Sequence, residues 1–296
     1  MQSLYLTAIL IFLASSSVTD PPLDLPTIEQ TTKESEEKAI SEDIEMRRQL
    51  TPAAAEALCA QAAAASSPVC EALEQQILAS VVRLWVRGPS VDDHTQHTDS
   101  IGHGTVVAGR YLVTHNHFRV DIAFLEQVPH NGGAAVSIYR ASGEKIVVEA
   151  PPNIFTVVYE DRETLVLDSG TVEDKGFFEA NGVQSARLST LHEIRLGPGT
   201  HVAQVDWDGE RAHIDWVAVN KVVTEEGTPR LILSHGVSIG ASGGGIFWNG
   251  YHIANNWMLN EALGADGTVL RQVTTAALNS EAAATYSRPS QNGSKF

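Results

Sequence analysis

The sequence predicts an all-β fold, a double six-stranded antiparallel β-barrel carrying an N-terminal helical extension. Three observations point there. From Ser80 onward the chain breaks into short β-branched runs divided by Gly, Asn and Asp, such as "SVVRLWVRG", "TLVLD" and "HIDWVAVNKVV", which is the texture of strands joined by tight turns. About a dozen such runs over some 200 residues suit two small barrels better than one sandwich. Before Ser80 the chain is Ala-rich and carries helix-start signals instead. A hydrophobic content of 43% is ample for a sizeable core.

The elements follow in order. Residues 1–19 read as a secretory signal: Leu4 to Ala14 are apolar, too short for a membrane span, and small residues Ser15 to Ser17 follow. The positive n-region is missing apart from the terminal amine. Residues 20–48 are rich in Pro, Thr, Glu and Lys and almost free of aromatics, so they read as a disordered linker or pro-segment. It ends at Arg47-Arg48, either a processing site or a surface charge pair. Residues 49–80 form the helical extension. Thr51 before Pro52 is a helix cap, and the helix continues or restarts through "PVCEALEQQILAS". The barrels occupy 81–280. "TTAALNSEAAATY" has the composition of a closing helix, and 281–296 form a polar tail with a glycosylation sequon at Asn292.

The bulk properties exclude some functions. A formal net charge of -16 argues against binding a phosphate backbone, which needs clustered Lys and Arg. No later segment reaches the roughly 18 apolar residues of a membrane helix. The two cysteines, Cys59 and Cys70, have the spacing of a helix–turn staple and lack the partners of a zinc site. A secreted, extracellular monomer with a structural disulfide is the expectation.

The chemistry centres on "SHGVSIGASGGGIFWNG", where Ser242 sits in a glycine run between apolar stretches. A serine hydroxyl needs a base to take its proton and a third group to hold that base. Upstream, "GHGTVVAGRYLVTHNHF" gives a strand, a Gly-Arg turn, a second strand, and T-x-x-H at its end. Together these segments resemble the chymotrypsin/trypsin-like serine peptidases, in particular the disulfide-poor bacterial and fungal type. The resemblance covers roughly residues 80 to 260, strongly at the two motifs and weakly between them. It implies a serine endopeptidase acting on protein or peptide substrates without cofactor or metal. His117 falls on the base and Ser242 on the nucleophile. The backbone amides of Gly240 and Ser242 fall on the oxyanion hole. His235, Gly236 and Val237 fall on the pocket wall, and Asn256 and Trp257 on the strand that pairs with substrate. The order His, acid, Ser belongs to this fold and differs from subtilisin and the α/β-hydrolases.

The acid stays open between two residues of "YEDRETLVLD". Superposing the family's D-Φ-x-Φ-Φ (Φ apolar) puts Glu163 at the acid position, and Asp161 lies two residues earlier on the same face of a strand. Asp121 is only four residues past His117 and is discounted. Ala241 replaces the aspartate that receives the new N-terminus in the digestive branch, so that activation switch is expected to be absent. Gly245 replaces the usual proline, with little expected effect. The pocket segment carries no carboxylate, which gives no cause for an Arg or Lys preference. Two rivals are a catalytically inactive binding module of the same fold, and a metal-dependent hydrolase built on His94, His97, His103, His115 and His117. The second is disfavoured because no acidic or Cys ligand stands close by.

Overall fold

Ser67 opens the first helix, α1 (Pro68–Leu78): its Oγ accepts the N–H of Cys70 at 3.3 Å, and Pro68 takes the first turn. Cys70 is bonded to Cys59, with their Cα atoms 5.4 Å apart, as the spacing predicted. The computed structural model describes residues 59–60, 67–89, 97–119, 135–150, 154–190 and 194–287, all within the compact unit Arg47–Phe296. The expected signal (1–19), linker (20–48), Thr51 cap and Asn292 sequon lie outside the described residues. So do Asp121 and His94.

Seven strands form the first sheet: β1 (Val81–Pro89), β2 (His97–Val107), β3 (Tyr111–His115), β4 (Ala135–Arg140), β5 (Lys145–Ala150), β6 (Thr156–Glu160) and β7 (Thr164–Asp168), in spatial order β5-β4-β1-β2-β3-β7-β6. Among the described residues its two edges are not paired to each other. Yet Ile146 from β5 and Val157 from β6 pack on one core with Leu84, Leu112, Phe118, Ile138 and Leu167, so the sheet curls round it. The expected six-stranded barrel is here a curled sheet of seven.

A small ribbon, β8 (Thr171–Val172) and β9 (Lys175–Gly176), and the short helix α2 (Phe177–Ala180) lead to the second half. This comprises β10 (Arg187–Leu188), β11 (His201–Asp208), β12 (Arg211–Glu225), β13 (Thr228–Leu233), β14 (Gly245–Trp248), β15 (Tyr251–Leu263) and β16 (Val269–Leu278). Strands β11 to β16 close into a six-stranded antiparallel barrel through the β15–β16 pairing, with β10 added parallel to β15. Closure leaves no free edge in that ring. Asn249 and Gly250, with φ of 52° and 71°, make the β14–β15 hairpin a turn with both central residues left-handed, as the Asn-Gly pair predicted. The described residues are thus mostly β, a curled seven-stranded sheet followed by a closed six-stranded antiparallel barrel.

Two helices seal the assembly. Helix α1 buries Ile77 against Val81, Ala203, Val205, Trp207 and Phe247, a core drawing on both sheets. Helix α3 (Glu281–Ser287) buries Ala283 against Val107, Val113 and Val166. The expected closing helix is therefore shorter than its composition suggested. Thr274 to Leu278 are strand, paired with both β13 and β15, and Ala276 and Ala277 are fully buried. Non-local pairing overrides the local helical preference of "TTAAL".

Candidate active site

Strand β3 delivers the histidine. Thr114 Oγ1 donates to the carbonyl of His103 at 2.5 Å, tying β3 to β2 just before the strand ends. The chain then makes one 3-10 turn, Asn116–Phe118, whose Phe118 is buried. A Cβ at Gly102 would lie 2.6 Å from the Phe118 ring, so that glycine makes room for the anchor. With Phe118 turned inward, His117 is exposed. Its ring lies 5.1 Å from that of His115, edge to face, and 5.6 Å from that of Trp257.

The serine is delivered by two consecutive tight turns. Ala241 N–H donates to the Ser238 carbonyl at 3.1 Å and Gly244 N–H to the Ala241 carbonyl at 3.0 Å. The third residues of these turns, Gly240 and Gly243, have φ of +95° and +84°, which disfavours any side chain. Gly243 is further pinned by space: a Cβ there would lie 2.2 Å from the His103 carbonyl oxygen, 2.6 Å from Thr114 Oγ1 and 2.9 Å from the His115 ring. The serine turn therefore rests directly on the strand end that leads to His117. The expectation for Gly245 needs correction, because a Cβ there would meet Thr105 Oγ1 at 2.6 Å and the Phe247 ring at 2.7 Å.

The amides of this stretch divide cleanly. Those of Ala241, Gly243 and Gly244 are taken by Ser238, Asn256 and Ala241 carbonyls. Those of Gly240 and Ser242 have no acceptor among the described residues, and Ser242 Oγ is likewise without a hydrogen bond there. Gly240 is exposed and Ser242 half-buried, so both amides are open to an acceptor from outside the chain.

The two candidate acids are placed differently. Asp161 lies in the turn before β7: its Oδ1 accepts from the amides of Glu163 and Thr164 at 2.8 and 2.7 Å, and its Oδ2 from Tyr159. Burial, then that bond to Asp161, push the Tyr159 hydroxyl up to about 12. Glu163 is buried just before the start of β7, where its carbonyl accepts Asn116 N–H at 2.9 Å. Its Oε1 pairs with the buried Arg230, and its Oε2 has no partner among the described residues. Arg230 also binds Glu225, and its guanidinium lies 4.0 Å from the Trp257 ring centroid, the ring that faces His117. Neither acid is hydrogen-bonded to His117. Arg230 was missed by sequence reading. Its only signal was a cation in the otherwise apolar run "RLIL".

Two neighbouring histidines are buried and stay neutral. Burial, then His117 and His103, lower His115 to about 3, and burial lowers His103 to about 4 against the Ser242 carbonyl that favours its cation. His103 stacks on Trp207 at 4.5 Å. The expected pocket wall is tied to β16. Val237 N–H donates to Thr274 Oγ1, and Thr274 N–H to the His235 carbonyl, both at 3.1 Å. A Cβ at Gly236 would lie 2.7 Å from Gln272 Cβ. Trp257 is the extra residue of a bulge between Asn256 and Met258. Asn256 is buried and donates to the Val205 carbonyl at 2.8 Å. Ile239, between Ser238 and Gly240, is 94% exposed. Among the described residues, the convergence of metal-ligating side chains lies away from the HxH strand, at Asp206, His213 and Asp215, whose ligand atoms fall within 4.8 Å of one another.

Among solved structures, the chain is similar to the crystal structure of the Rv3671c protease from M. tuberculosis in its active form, at 15% identity over 77% of this chain and 85% of that chain, with a TM-score of 0.45. No family model and no curated protein matches the chain.

Proposed function

We propose that this protein is a serine endopeptidase using Ser242, His117 and Glu163. The observation that carries the reading is the pair of amides at Gly240 and Ser242 that no described residue accepts, in a glycine turn seated on the strand end before His117. Ser242 Oγ attacks the peptide carbonyl while His117 takes its proton, and the developing oxyanion accepts the two amides. His117 then returns the proton to the leaving amine, and water resolves the acyl-enzyme by the same route. Glu163 is favoured over Asp161 because Asp161 already holds its turn, whereas Glu163 keeps one buried oxygen for the imidazole N–H. Apo sites commonly tighten such bonds only with substrate bound. The disulfide fits an exported protein.

The Glu163–Arg230 pair favours a second reading, a binding module whose acid is diverted. A fluorophosphonate probe decides between them. Stoichiometric labelling of the wild type, lost in Ser242→Ala and strongly slowed in His117→Ala, is expected. A wild type that stays unlabelled overturns the peptidase reading.

A further inference from the structure

Ala241 leaves the serine turn without the carboxylate that its family position would supply, yet the turn is held. Asp206, on β11 and 5% exposed, accepts the Ser238 amide at 3.1 and 2.9 Å on its two oxygens and Ser238 Oγ–H at 2.9 Å. Ser238 is the first residue of the turn whose third residue is Gly240. The next residue, Trp207, stacks on His103, whose Nδ1 lies 3.4 Å from the Ser242 carbonyl. One dipeptide of a barrel strand therefore braces the turn at both ends. Asp206 Oδ1 is fixed in turn by the Trp207 amide at 2.7 Å. Ser238 and Ile239 are exposed, and among the described residues the Ser238 hydroxyl and amide are both held by Asp206.

We infer that Asp206 is a positioning residue, which holds the Gly240 amide in register for the oxyanion and makes the site competent without a newly cut N-terminus. This rests on the peptidase reading above. The carboxylate acts through Ser238 and touches no reacting atom. An anchor aimed at the oxyanion turn affects the transition state more than the ground state, so its loss should lower kcat and leave KM nearly unchanged.

The test compares wild type, Asp206→Ala, Asp206→Asn and Ser238→Ala by steady-state hydrolysis of a peptide amide library and by the rate of fluorophosphonate labelling. Asp206→Ala should lower kcat by about 10²- to 10³-fold, the size of losing one oxyanion donor, with KM within about threefold. Asp206→Asn, which keeps an acceptor for the Ser238 amide, should recover part of that loss. Ser238→Ala lies on an exposed turn and removes only the hydroxyl contact. It should lower kcat by about tenfold, in keeping with one hydrogen bond to a charged group, and it tests the anchor even if Asp206→Ala does not fold. Wild-type kinetics in Ser238→Ala, or a loss in KM with kcat intact, would overturn the assignment. Loss of wild-type activity in EDTA would overturn it too, by making Asp206, His213 and Asp215 a cation site. A wild type that neither labels nor hydrolyses instead sinks the peptidase reading itself.

Discussion

Two carboxylates two positions apart meet opposite fates. Asp161 and Glu163 looked interchangeable in the sequence because alternate residues of a strand share a face. The strand begins only at Thr164, so Asp161 lies in the preceding turn and satisfies two of its amides, the usual use of an Asp there. Glu163→Gln should lower kcat by about 10³-fold or more, as loss of the orienting acid does in such triads, while Arg230 keeps Glu225 as its ion partner. Asp161→Ala should show the reverse balance, a loss of about 2–3 kcal/mol in denaturant unfolding from its charged hydrogen bonds with a smaller fall in kcat. The opposite ranking by the two measurements would transfer the acid to Asp161. His117, Ser242 and the glycines were legible because each belongs to a local pattern. Arg230 and Asp206 were not, since their partners lie 67 and 32 residues away.

At the scale of elements, the strands and the Asn249-Gly250 hairpin followed from alternation and turn chemistry. What local signals missed were the features set by distant neighbours. "TTAAL" became strand because β13 and β15 flank it, and Gly245 is needed because a side chain there would meet the first sheet at Thr105. Helix α1 shows the energetic side of the same point. With no basic residue in its last turn, it depends on Ile77 packing into a core shared by both sheets. Ile77→Ala should cost about 2–5 kcal/mol, the range for large-to-small changes in a core, measured by urea unfolding. A cost under about 1 kcal/mol would show that α1 is dispensable to that core.

For the whole molecule, burial sets the response to acid. His103, His115 and His252 are lowered from 6.5 to about 4, 3 and 4, each chiefly by desolvation. Below pH 6.5 the unfolded chain binds protons that the folded chain refuses, so stability rises with pH across that window and is lost as pH falls from about 6.5 towards 4. Unfolding free energy measured from pH 7 to 4 should fall steeply, with up to three extra protons taken up on unfolding. His252→Gln, which keeps the polar contact to Asn255 and removes the titration, should flatten the slope. An unchanged slope would assign the acid sensitivity elsewhere.

Ile239 gives the arrangement a further consequence. Its side chain stands in water between Ser238, which Asp206 grips, and Gly240, whose φ of +95° needs no side chain. Exposed positions away from caps and cores change stability by only about ±0.5 kcal/mol when replaced. Residue 239 is therefore free to vary beside the serine turn while the frame beneath it stays constant. A library varied at that one codon therefore tests the proposed peptidase's selectivity without first stabilising the scaffold.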